Sequence, residues 1–76
     1  MSLTPEQCRM ARAGLNWSGA ELSKRSGVAQ ATIAEFEKGL RQSYPRTVRD
    51  LREALEAGGA AFTTDGVAVG NGGNDE

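Results

Sequence analysis

The sequence predicts an all-α domain of four short helices, followed by a small C-terminal β-hairpin. Three observations carry that prediction. Apolar residues recur at helical spacing in four segments between Thr4 and Ala57. These segments are bounded by residues that start or stop helices. After Gly58-Gly59 two short runs flank Asp65-Gly66, a strong hairpin signal.

The first helix begins at Thr4. Its hydroxyl precedes Pro5, which suits the first helical position, and Gln7 stands three residues on, as in a capping box. Cys8, Ala11 and Leu15 follow at helical spacing, and Gly14 and Asn16 end the segment. Ser18 caps the second helix, with Glu21 completing a second Ser-x-x-Glu box and Ala20 and Leu22 as its apolar positions. It stops at Gly27, a residue suited to a left-handed helix end. The third helix runs from about Gln30 to Lys38, with Ile33 and Phe36 apolar and Gly39 as terminator. The turn Ser26-Gly27-Val28-Ala29 between the second and third helices is short enough to make a helix-turn-helix unit. A loop spans Leu40 to Pro45. The fourth helix is expected from about Thr47 to Ala57, with Val48, Leu51, Ala54 and Leu55 forming one apolar stripe. In the hairpin, Thr64 is expected opposite Val67 and Phe62 opposite Val69, all four on one face of the ribbon. Residues 71–76 are polar and Gly-rich and read as disordered. The expected organisation is therefore residues 1–59 as the helical domain, 60–70 as the hairpin and 71–76 as a tail.

With 76 residues the chain holds one domain at most, and its core is small. No apolar run approaches the ~20 residues of a membrane span, and no secretory signal is visible. Cys8 is the only cysteine and histidine is absent, so an internal disulfide and a zinc site are both ruled out. A reducing cytoplasm is the expected location. The formal net charge is −1, which at first argues against nucleic acid, but the charges are segregated. All nine basic residues lie between Arg9 and Arg52, whereas Asp65, Asp75 and Glu76 lie beyond them. From Lys38 to Arg52 there are Lys38, Arg41, Arg46, Arg49 and Arg52 against Asp50 alone. Such a strip is either a footprint for phosphates or a solvated helix face.

Several of these residues together resemble a known family. Leu22, the run Gly27-Val28-Ala29-Gln30-Ala31-Thr32-Ile33 and the ending Phe36-Glu37-Lys38-Gly39 are similar to the lambda-repressor-like, Cro/CI-type (XRE) helix-turn-helix family. The resemblance covers roughly Thr4 to Gly58. It implies a lambda-repressor-like four-helix DNA-binding domain and a sequence-specific regulator of transcription that binds double-stranded DNA. Three positions depart from the family's habit: Ser23 stands where alanine is usual, Ala29 where a capping serine or threonine is usual, and Gly19 where glutamine is usual.

On that reading the third helix enters the major groove, whose donors and acceptors distinguish all four base pairs. Gln30 is the strongest base reader, because an amide can bond adenine N6 and N7 together. Ala31 can meet a thymine methyl or merely avoid a clash, and Thr32 can contact a phosphate or thymine or be a plain surface hydroxyl. Glu35 shares their exposed side, where it either accepts from cytosine N4 or repels phosphates. Ser18 and Gly19 at the start of the second helix offer a phosphate grip. The resemblance implies further grips at Lys38, Arg41, Gln42 and Ser43, and a structural ion pair between Arg12 and Glu37. Lys24 and Arg25 are weaker candidates, since Arg25 can be a plain solvated charge, and Arg46 and Arg49 either lie near DNA or only flank the fourth helix. Trp17 reads as a lid on the core in preference to a stacking platform, and Cys8 as a small buried hydrophobe.

The expected partner is a palindromic duplex bound by a homodimer, with Phe62, Val67 and Val69 as candidate dimer residues, since an exposed strand edge invites pairing. The opposite reading folds the hairpin back onto the fourth helix. An adaptor or antitoxin-type partner protein built on the same fold is the alternative function. No catalytic constellation, cofactor, metal or small-molecule ligand is expected.

Overall fold

The computed structural model describes residues 3–40, 44–63 and 66–69. The helices are α1 (Pro5–Leu15), α2 (Gly19–Ser26), α3 (Gln30–Glu37) and α4 (Pro45–Ala57), and the strands are β1 (Ala60–Thr63) and β2 (Gly66–Val69).

Local capping sets most of the boundaries. The Thr4 hydroxyl accepts from the Gln7 N–H at 3.1 Å, and the Gln7 side chain accepts from the Thr4 N–H at 3.0 Å, so the capping box is complete. Gly14 lies inside α1, and Asn16 ends the helix in the left-handed conformation at φ 62°. The second box is only half formed. Ser18 Oγ accepts from the Glu21 N–H at 3.0 Å, but the Glu21 carboxylate is bonded to Arg25 Nε, one turn on, at 2.5 Å. Gly27 closes α2 at φ 78°, a conformation that an L side chain resists. α4 begins two residues earlier than expected. Pro45 occupies its first turn, where its fixed φ fits and its missing N–H costs no helical bond. Lys38 falls just outside α3, as its C-cap.

The core gathers Cys8 and Ala11 of α1, Leu22 of α2, Val28 of the turn, Ile33 and Phe36 of α3, and Leu51 and Leu55 of α4, closed by Leu3 and Ala60. Val48 and Ala54 are half-buried at its edge, as the α4 stripe requires. Ala20, expected to be apolar-facing, is exposed, so Leu22 alone buries α2. An eight-residue helix turns only about twice, and one leucine is enough to dock it.

The strands pair antiparallel, but in a different register from the one expected. Phe62 lies opposite Val67 and Ala60 opposite Val69. Thr64 and Asp65 themselves lie outside the described residues, as does the tail 71–76. Sliding the pairing by two preserves the face of each side chain, because the strand period is two. Phe62 and Val67 therefore still point the same way, and they pack against the helical core. The hairpin sits chiefly on α1: β2 lies along it, and β1 reaches both α1 and α4. A Cβ at Gly14 would fall 2.4 Å from Val69 Cγ2, so the missing side chain at Gly14 is what admits β2.

Candidate nucleic-acid interface

The turn between α2 and α3 is built by its own side chains. The Ser23 hydroxyl donates to the Val28 carbonyl at 2.6 Å, and Ser26 Oγ accepts from the Val28 N–H at 3.1 Å. Ser23, a departure from the resembled family, is thus a brace between α2 and the turn. Val28 enters the core, which draws α3 against α2. Ala29 makes no side-chain cap at the start of α3.

α3 buries Ile33, Phe36 and Glu37 and exposes Gln30, Ala31 and Ala34, with Lys38 exposed at its C-cap. Glu35 and Thr32 are half-buried at the two margins of that exposed side. Ala34, which the sequence reading passed over, lies one turn beyond Gln30 on the same stripe. The i, i+4 spacing could have found it. Gln30 leans toward the start of α2: a Cβ at Gly19 would lie 3.8 Å from Gln30 Nε2. The space left by Gly19 is therefore bordered by the side chain with the best credentials for reading a base. Ser18 is exposed at the same end, its Oγ already accepting from Glu21, so its own proton remains available to a phosphate oxygen. Arg41, Gln42 and Ser43 lie outside the described residues.

A buried polar cluster fixes α3 to α1. Arg12 holds both carboxylate oxygens of Glu37, Nη2 to Oε1 at 2.7 Å and Nε to Oε2 at 2.8 Å. The same guanidinium donates from Nη1 to the Trp17 carbonyl at 3.1 Å, just before α2 begins. One side chain thereby ties the end of α3 to the approach to α2. The Cys8 thiol donates to Glu37 Oε2 at 3.1 Å, and Arg9 donates to the Glu37 main-chain carbonyl. That carbonyl lies at the C-terminal end of α3, where a cation is electrostatically favoured. Burial alone would raise the Glu37 pKa, but hydrogen bonds from Arg12 and Cys8 and the charges of Arg12 and Arg9 outweigh it. The result lies below the ordinary 4.5. Burial above all, then the Glu37 hydrogen bond and charge, pushes the Cys8 thiol far up, so it stays an S–H donor. The Arg12 pKa is raised, mainly by its bond to Glu37.

Trp17 caps the core. Arg25 lies over its ring at 4.4 Å, and a Cβ at Gly58 would meet its ring atoms at 2.5 Å. This is a packed lid and not an open platform for bases. The basic residues consequently divide into two groups. Arg9 and Arg12 serve Glu37, Arg25 serves Glu21 and Trp17, and Arg52 serves Glu56 and the Phe62 ring. Among the described residues Lys24, Lys38, Arg46 and Arg49 are exposed and meet no carboxylate. Among the described residues no group of His, Cys, Asp or Glu could hold a metal ion, and no helix is long and apolar enough to cross a membrane.

A family model described as helix-turn-helix matches residues 9–58, more than half of the chain. The protein belongs to this family, of the XRE, Cro/CI-like type, and is a DNA-binding helix-turn-helix regulator. No curated protein sequence matches the chain. The matched span ends at Gly58, before the hairpin begins.

Proposed function

We propose that the protein is a sequence-specific regulator that inserts α3 into the major groove and acts as a homodimer on a palindromic operator. The observation that carries this reading is the division of α3 into two sides. Ile33, Phe36 and Glu37 are locked into the core, while Gln30, Ala31, Ala34 and Lys38 stand in solvent at groove-reading spacing. Gln30 reads a base edge, with adenine the best match to its amide. Ala31 and Ala34 are small enough to let α3 sit deep and touch thymine methyls. Glu35 and Thr32 work at the margins, the first by rejecting or accepting particular edges, the second toward the backbone. Ser18, the Gly19 N–H and Lys38 hold phosphates, and the segment 41–43 extends that grip.

The candidate dimer residues are engaged within the chain: Phe62 and Val67 face their own core, and Val69 lies against Gly14. Among the described residues of the hairpin, Ala61, Thr63 and Ala68 on its outer side are exposed.

Selection from a random duplex pool tests the reading. A recovered palindrome with half-sites one turn apart, about 34 Å, is expected, with affinity falling steeply as salt rises. A pool that shows no enrichment at low salt would favour the adaptor role and end the operator model.

A further inference from the structure

The outer side of α4 carries a shallow groove of about 400 Å³ lined by Pro45, Arg46, Arg49, Arg52, Glu53 and Glu56. These residues follow one stripe of the helix, opposite Leu51 and Leu55. The stripe is electrically polarised. Its first half presents Arg46 and Arg49, and its second half Glu53 and Glu56. Arg46, Arg49 and Glu53 are exposed and without an ion pair among the described residues. Glu56 is bonded to Arg52 through Oε2 at 3.0 Å but keeps two-fifths of its side chain exposed. Arg49 and Glu53 stand one helical turn apart and are unpaired among the described residues, and the outermost charges are beyond each other's reach within one chain. Arg46 and Glu56 are ten residues apart, which on a helix is about 15 Å.

The spacing is symmetric about Leu51. Arg46 and Glu56 each stand five residues from it, on opposite sides, and Arg49 and Glu53 each stand two residues from it. We infer that this side of α4 is a self-complementary docking surface whose occupant is the α4 of a second copy of the chain, running antiparallel. A two-fold axis crossing the outer side of α4 at the level of Leu51, whose own side chain faces the core, brings Arg46 level with the partner's Glu56 and Arg49 level with the partner's Glu53, and each contact occurs twice, as an isologous interface requires. A parallel arrangement would set arginine against arginine. The groove has room for the long side chains, and Pro45 and the arginine stems supply apolar area beneath the charges. Exposed ion pairs are individually weak, so the contact chooses orientation more than it adds affinity, and the dimer it makes is weak and salt-sensitive. This supplies the dimer of the proposed reading with a seam that leaves the hairpin on its own chain.

Charge-reversed variants of the full chain, compared by sedimentation equilibrium at low salt without nucleic acid, test this directly. Arg46→Glu/Arg49→Glu makes both ends of the stripe acidic, leaving Arg52 between them, and Glu53→Arg/Glu56→Arg makes the stripe basic throughout. Each alone is expected to weaken self-association by about tenfold or more, while an equimolar mixture of the two associates at least as well as the unaltered chain. Circular dichroism of each variant establishes that the helices are kept. If one double variant loses its fold, the single changes Arg49→Glu and Glu53→Arg replace the pair. An unaltered chain that stays monomeric, variants that self-associate undiminished, or a mixture that fails to recover would each overturn the proposal. Because no DNA is present, failure here leaves the major-groove reading standing, and failure of duplex selection leaves this one standing.

Discussion

Glu37 is the residue whose removal should be felt most widely. Its carboxylate is nearly buried and takes three hydrogen bonds, two from Arg12 and one from Cys8. Glu37→Ala leaves the Arg12 guanidinium without its partner. Breaking a well-buried pair costs about 3–5 kcal/mol, but the Arg12 side chain keeps 23% exposure, so water recovers part and about 2–3 kcal/mol is the expected loss. A domain of this size has about 4–11 kcal/mol in total. At about 4–8 °C per kcal/mol for so small a domain, the melting temperature should fall by roughly 10–20 °C. Thermal circular dichroism measures this. A pH series adds an independent check on cause. Glu37 is held below its ordinary 4.5 in the folded chain, so its contribution is fully present above 4.5 and is lost as pH falls through its lowered folded value. The stability gap between the unaltered chain and Glu37→Gln should therefore narrow under acid and be constant from 4.5 upward. Since Arg12 also ties α3 to Trp17, next to the Ser18 cap of α2, operator affinity should fall for all sequences alike. An unchanged melting temperature in Glu37→Ala, or a gap indifferent to acid, would refute the clamp.

Three further outcomes can be checked. Gly14→Ala should destabilise the chain in urea despite alanine's advantage of about 1 kcal/mol inside a helix, because its Cβ would collide with Val69; the penalty should shrink in a Val69→Ala background. Cys8, with no exposed surface and a strongly raised thiol pKa, should react with an aromatic disulfide reagent only at the rate of unfolding, and immediate labelling of the native chain would contradict its burial. Gln30→Ala should relax base preference at one position of each half-site with the salt slope unchanged. Lys38→Ala should weaken all duplexes alike and reduce that slope by about one. Filter binding across salt concentrations distinguishes the two patterns, and identical behaviour of both variants would remove the division between reading and gripping residues.

The readable features share a short range. Thr4 with Gln7, Ser18 with Glu21, Gly27 and Gly39 are signals whose hydrogen bonds or dihedrals close within a few residues, and they placed three helices within about one residue. The start of α4 is less legible, because Pro45 reads as a loop residue in the sequence yet opens the helix. The hairpin register was not fixed by Asp65-Gly66 alone, since a slip of two residues leaves every side chain on the same face and only packing chooses between the registers.

By itself, then, the sequence determined the helical punctuation, the helix-turn-helix unit from Ser18 to Gly39, and the exposure of Gln30 and Ala31 on α3, while Ala34 and the half-buried margins at Thr32 and Glu35 emerged only from packing. It also contained the Arg12–Glu37 pair, as an implication of family resemblance. The tertiary structure decided which charges are already engaged. Arg25 and Arg52 look the same as Arg46 and Arg49 in the sequence, yet the first two lie over Trp17 and Phe62 with carboxylates beside them, and the last two do not. It also decided that Phe62 and Val67 turn inward, and that Gly14 is the notch that receives Val69. The reason is physical: caps and turns depend on neighbours along the chain, whereas charge partners and apolar faces depend on residues far away in sequence that only packing brings together.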